Sequence, residues 1–279
     1  MRRLVAPWLT LLLLACEPVV PRPNRDADVG GSDAGRADAG DAGGGGTDAG
    51  GGTDAGPGYD LSCAGRAPTG TVDTARISGA IRNTGGGPEQ NVLVQAFDGM
   101  DATLMTPLAM DTTVGDGRYM LDVDLIAPRI ARPIVVRADP PTGTLRRTYV
   151  FHLRGLAADL AGYDIELYDD ASWSGLHGAV GVTPNAARGL ILAVIHDCAG
   201  RPLPGATIEL DRLAADSSLA YFDGSAPSAS ATATDASGRA LVLNAPTGDV
   251  VMTVRAGTTT LGAAMFNVRA DRLSLALWL

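Results

Sequence analysis

Asp197–Leu210 reads DCAGRPLPGATIEL. Ahead of it Gly189–Asp197, GLILAVIHD, is a run of apolar residues; after it ATIELDR alternates apolar and polar. Proline presets φ near its turn value and glycine takes the positive φ that other residues resist. The stretch therefore reads as a strand, a tight Gly/Pro turn and a second strand.

Working outward, the same order occurs twice. Ala75–Asn83 (ARISGAIRN), the turn GGGPEQ and Asn91–Asp98 (NVLVQAFD) precede Gly115–Leu125, GDGRYMLDVDL. In that last segment Tyr119, Leu121, Val123 and Leu125 share one face of a period-two strand. In the second half Ala231–Gly257, ATATDASGRALVLNAPTGDVVMTVRAG, holds the matching place, with Gly117 and Gly238 each followed by arginine and an alternating strand. PIVVRAD, RRTYVFHLRG and GYDIELYD supply further strands in the first half. The chain is thus two copies of one β-unit. Between them Asp170–Gly181 spaces Trp173, Leu176 and Val180 as one helical face, ended by Thr183-Pro184. Trp173 and Trp278 read as packing residues.

The apolar strand, D-x-x-G-x-P-L-P-G-A turn, T-x-T-D-x-x-G-R and N-x-P-x-G pattern resembles the carboxypeptidase regulatory-like domain, a small transthyretin-like sandwich. The matching residues are Asp197, Gly200, Pro202, Pro204, Gly205 and Ala206, then Thr234, Asp235, Gly238, Asn244, Pro246 and Gly248. The first copy matches more weakly, with Pro88-Glu89-Gln90-Asn91 in place of the Pro-Gly-Ala turn. The resemblance implies an all-β fold: two transthyretin-like or Ig-like β-sandwich domains in tandem, residues 59–168 and 189–279, joined by a connector, 169–188. It implies no catalysis, and Asp235 is expected to cap its turn rather than meet a substrate.

The N-terminus sets the compartment. Arg2-Arg3 and the apolar run Leu4–Leu14 form a signal too short to span a membrane. It ends in Leu13-Leu14-Ala15-Cys16, which resembles a bacterial lipobox with Cys16 as the lipidated first residue; the alternative is an ordinary secretory signal whose cleavage site carries a cysteine. Residues 17–58, in loose DAG repeats, hold too few large apolar side chains to order themselves and read as a disordered tether. Such a tether resembles those of lipoproteins from high-GC Gram-negative bacteria of the myxobacterial type. Glu17, rather than Asp, follows Cys16, and by that resemblance favours the outer membrane. The expected partner is first the membrane, through the lipid on Cys16, then an envelope protein or polysaccharide.

The net charge of −9 divides into +2 on the signal, −5 on the tether and −6 on the rest. A mildly acidic head argues against nucleic acid. All 22 basic residues are arginine, so a lysine–asparagine isopeptide crosslink of the kind in CnaB-type sandwiches cannot form.

Cys63 and Cys198 are the cysteines left after lipidation. In an oxidising compartment they suggest a disulfide, with free thiols or a metal or reactive role as the alternatives. His152, His177 and His196 lack a zinc spacing, no run fits an EF-hand loop, and no nucleophile elbow or phosphate loop occurs. No metal, cofactor or catalytic residue is assigned. Tyr221, Phe222 and Asp223 lie in a Ser-rich insertion of the second copy. They read as an exposed recognition loop, or as a lid tucked on the sandwich edge. The function expected is a non-catalytic binding or scaffold module; the alternatives are a structural spacer and an unrecognised hydrolase.

Overall fold

Alternation of apolar and polar residues makes strands wherever one face can be buried, and most of the described residues lie in such strands or the turns between them. The computed structural model describes residues 58–66, 73–101, 103–125 and 132–278. Cys16, the expected signal and the expected tether as far as residue 57 lie outside them. Copy 1 forms β1 (Thr74–Asn83), β2 (Leu93–Asp98), β3 (Ala109–Thr112), β4 (Arg118–Asp124), β5 (Arg132–Asp139), β6 (Thr148–Leu156), β7 (Leu160–Ala161) and β8 (Ile165–Leu167). Helix α1 (Asp170–Val180) follows. Copy 2 forms β9 (Gly189–Ile195), β10 (Ala206–Leu210), β11 (Ser218–Asp223), β12 (Ala226–Ser228), β13 (Arg239–Ala245), β14 (Gly248–Ala256), β15 (Thr259–Val268) and β16 (Leu273–Trp278).

The copies share one pairing scheme. In copy 1, β1 pairs with β4 antiparallel and with β8 parallel, while β5 lies between β2 and β6. In copy 2, β9 pairs with β13 antiparallel and with β16 parallel, while β14 lies between β10 and β15. Each copy is a sandwich, and the all-β class read from the sequence is the class observed. The turn bonds repeat as well. The Thr113 hydroxyl donates to Glu89 O at 2.7 Å and accepts from Val92 N at 3.0 Å. The Thr234 hydroxyl donates to Leu203 O at 2.7 Å and accepts from Ala206 N at 2.9 Å. Asn91, at φ 60°, stands where Gly205 stands at φ 75°. Asparagine tolerates the left-handed region, which is why the first copy keeps the turn without its Pro-Gly-Ala signature.

The sandwiches are fused. β16 pairs in parallel with β9 on one side and with β6 of copy 1 on the other. The result is one nine-stranded sheet, β12-β11-β13-β9-β16-β6-β5-β2-β3. β16 is LSLALW, with apolar residues on both faces, as a central strand flanked by parallel neighbours requires. The two smaller sheets cover opposite faces of this long one. Ile134, Val136 and Ala138 of β5 enter the core beneath β4-β1-β8, while Val135 joins the core beneath β10-β14-β15.

α1 fills the first face beside the copy 1 sheet, packing Trp173 on Leu190, Leu192, Leu241 and Leu243. Asp169 caps it by accepting from Ser172 N at 2.8 Å, and Gly181 closes it at φ 75°. This is the connector helix its spacing predicts. Arg146, from the β5–β6 connection, lies 4.4 Å from the Trp173 ring centre and pairs with Asp170 at 2.6 Å and with Asp271. One guanidinium thus ties copy 1, the helix and copy 2 together.

Candidate functional site: the disulfide-closed strap on copy 2

The opening turn is organised by one carboxylate. As β9 ends, Asp197 turns inward until its side chain has no exposure. Its Oδ1 accepts from Ala199 N at 3.0 Å and Arg201 N at 2.9 Å; its Oδ2 accepts from Arg201 Nε at 2.8 Å. Gly200 supplies the left-handed residue the turn needs, at φ 76°. Burial alone would raise the Asp197 pKa. The hydrogen bonds from Arg201 and from backbone N–H groups outweigh it and hold the carboxyl below its ordinary 3.8.

The same carboxylate receives the start of the head. Asp60 N donates to Asp197 Oδ2 at 3.2 Å, and Cys198 N donates to Asp60 O at 2.7 Å. Arg201 donates to Gly58 O at 2.5 Å and lies 5.3 Å from the Tyr59 ring centre. Gly65 N donates to Leu261 O at 2.8 Å. The Cys63–Cys198 disulfide closes the joint, with Cα atoms 5.7 Å apart. Of the readings left open for these cysteines, the bridge is the one present. Residues 58–66 therefore form a strap on copy 2, although the chain continues from them into copy 1.

Beneath the strap lies a cavity of about 20 Å³, lined by Leu61, His196, Leu261 and Trp278 among others. That is room for a single water and not for a substrate. Burial lowers the His196 pKa, and neighbouring Asp197 opposes the shift. His152 and His177 sit on β6 and α1, and His196 follows directly after β9. Among the described residues no group of three or more His, Cys, Asp or Glu side chains could hold a metal ion. A second, open cleft of about 410 Å³ is lined by polar residues including Asn83, Thr84, Glu89, Thr142 and Asp169. All five are already engaged: Asn83 donates to Glu89 at 2.7 Å, Asp169 caps α1, and the hydroxyls of Thr84 and Thr142 bond those of Ser172 and Thr144 at 2.7 and 2.9 Å.

The expected recognition loop is corrected by burial. Tyr221 and Phe222 are 5% and 4% exposed and belong to β11. The strand is covered on both faces, so adjacent side chains both go inward. Tyr221 enters the core of copy 2 and its hydroxyl accepts from Ile208 N at 3.1 Å. Phe222 points the other way, into the cluster around Trp173, under the Arg239 guanidinium at 4.2 Å. Asp223 is exposed at the hairpin tip. That tip is held by Gly224 N donating to Asp235 at 2.7 Å. Asp235 also accepts from Ser237 N at 2.9 Å, the turn-capping role expected of it.

Sequence reasoning missed Asp60, Arg201 and Leu261 as partners in the joint, because they meet only in three dimensions. It also passed over Met100, Met105 and Met110, whose even spacing in MDATLMTPLAM was visible.

No family model and no curated protein matches the chain. Among solved structures it is similar to a streptococcal ancillary pilin at 9% identity and a TM-score of 0.24, over 74% of this chain and 62% of that one. It is also similar to invasin, a bacterial integrin-binding protein, at 15% identity and a TM-score of 0.17, over 71% of this chain and 39% of that one. The chain thus spans less than two thirds of either structure, and overlap at this level adds nothing to the all-β architecture seen in the chain itself.

Proposed function

We propose that this chain is a lipid-anchored protein of the cell envelope, held in the outer membrane through Cys16, whose fused sandwiches form a non-catalytic binding or scaffold module for an envelope protein or polysaccharide. Acyl chains on Cys16 hold the protein by burying methylenes, with no spanning helix required. The observation that carries the reading is the joint at residues 58–66. A head borne on a tether takes its load where the tether enters. There the chain is secured by a disulfide, an ion-paired carboxylate and several backbone bonds. Behind the joint, β16 makes the two copies one sheet, so a surface on either copy is presented by one continuous body.

A second reading, a structural spacer with no specific ligand, gains from the burial of Tyr221 and Phe222. It shares the anchor and the joint and differs only in lacking a partner.

The anchor is tested by Cys16→Ser with metabolic fatty-acid labelling and envelope fractionation. The natural chain is expected to take the label and sediment with outer membranes, and the variant to lose both. Equal membrane recovery of the unlabelled variant would overturn the anchor.

A further inference from the structure

Seven large apolar side chains of the described head are exposed, and five of them fall between Met100 and Met120. They are Met100 (76% exposed), Met105 (79%), Met110 (61%), Val114 (62%) and Met120 (50%). Single exposed apolar residues need no explanation, whereas a concentration at one place does.

The place is the open edge of copy 1. β3 ends the nine-stranded sheet and β4 ends the smaller sheet facing it. Met110 is the cross-strand neighbour of Gln95 and shares the outer face of the long sheet. Met120 lies on the opposite outer surface, since Tyr119 and Leu121 on either side of it point into the core. Met120 N donates to the Asp111 carboxylate at 2.8 Å, bridging the two strands. The loop before β3 is pinned by Leu104, which is buried at φ 49°. It is also held by Asp101, which accepts from Thr103 N at 2.9 Å and Met105 N at 3.3 Å. Anchoring Leu104 inward leaves Met100 and Met105 outward. The backbone is preorganised and the thioether side chains stay adaptable, a combination suited to an apolar contact of variable shape.

The charge of the same stretch is one-sided. Along residues 98–124 six aspartates, Asp98, Asp101, Asp111, Asp116, Asp122 and Asp124, accompany one base, Arg118, giving −5 of the head's −6. Arg118 pairs with Asp116 at 3.2 Å, and Arg137, beside Gln95 and Leu104, is matched by Asp139. Arg76 offsets one carboxylate by pairing with Asp122 at 2.7 Å.

We propose that this methionine-studded acidic edge docks a cationic amphipathic segment of a partner protein. The segment's apolar face would lie on Met100, Met105 and Met110, and its lysines and arginines would meet Asp98, Asp101 and Asp111 beside them, which steer approach and set register. Met120 lies on the opposite surface and takes no part. A protein is favoured over a polysaccharide because four of the five large apolar groups exposed here are flexible methionines and none is an aromatic plane for a sugar to stack on. Five strand steps separate β3 from β9, whose end leads to Cys198. At about 4.8 Å a step, the edge lies roughly 24 Å from the joint, clear of the tether. The inference rests on the recognition half of the proposed function and is independent of the lipid anchor.

The test uses the full chain carrying Cys16→Ser and a fluorescent leucine–lysine peptide of amphipathic helical pattern. Its controls are the scrambled isomer of that peptide and chitosan, a cationic polysaccharide without an apolar face. The amphipathic peptide is expected to bind, more weakly as salt rises. The triple variant Met100→Ser, Met105→Ser, Met110→Ser should lose about tenfold in affinity, while Met265→Ser on β15 leaves it unchanged. Circular dichroism checks that both variants are folded. Equal binding of the scrambled peptide or of chitosan, or equal loss in the two variants, would overturn the proposal. So would absence of binding by the natural chain. Each of these outcomes leaves the membrane anchor, read by fractionation, untouched.

Discussion

The Asp197 carboxylate accepts a hydrogen bond from the backbone of Asp60, 137 residues away, at 3.2 Å. A group that also organises its own turn thereby fastens the beginning of the head to copy 2. Asp197→Asn keeps an acceptor but removes the charge opposite Arg201. It should cost about 2 kcal/mol at neutral pH in urea unfolding. The folded-state pKa is depressed, so the charge stabilises above the unfolded-state value and that contribution fades as pH falls through the folded one. Natural and variant stabilities should therefore draw together as the pH is taken below the ordinary carboxylate range, in the acid limit where Asp197 is protonated in both states. A penalty that persists there would assign the effect to packing instead.

The disulfide should act on the strap more than on the sandwiches. It spans 135 residues, for which chain entropy allows a stabilisation of up to about 5 kcal/mol. With Cys63→Ser and Cys198→Ser together, limited proteolysis is expected to cut first within residues 58–66 and leave the β-sheet circular dichroism intact. Loss of the sheet signal before any cut would mean that copy 2 itself depends on the bridge.

Glycines at equivalent turns separate two kinds of cost. A Cβ at Gly117 would lie 2.5 Å from Ile81 O, and one at Gly238 would lie 2.3 Å from Ile195 O. Gly224 has a similar φ, 66°, with nothing within 4 Å. Gly224→Ala should lose only the left-handed penalty, about 1 kcal/mol. Gly117→Ala and Gly238→Ala should each lose clearly more, because a backbone carbonyl must move. Thermal melts of the three variants decide it, and equal shifts would deny the close approach.

Tyr221 and Phe222 are core residues by position, and their variants should report stability. Phe222→Ala is expected to cost about 3–5 kcal/mol. Tyr221→Phe removes the acceptor for Ile208 N and should cost about 1–3 kcal/mol. A Phe222→Ala protein as stable as the natural one in chemical denaturation would restore the exposed-loop reading.

The sequence by itself determined the elements and their repetition. Period-two runs such as Arg118–Asp124, the left-handed turn positions at Gly117, Gly205 and Gly238, and the cap and stop of α1 are local signals, set by backbone sterics and by which side chains avoid water. The pairing of Cys63 with Cys198 was legible as the leading option, because beyond Cys16 the sequence holds only these two cysteines. Tertiary structure alone decided what covers each face. LSLALW announces a strand buried on both sides and cannot say that β6 of the other copy is its second neighbour. Tyr221 and Phe222 look like an exposed pair only until sheet β10-β14-β15 closes over one and α1 over the other. The strap and the acidic methionine edge follow the same rule. Their residues are adjacent through register and chain return, and burial depends on the partner surface, which no local pattern encodes.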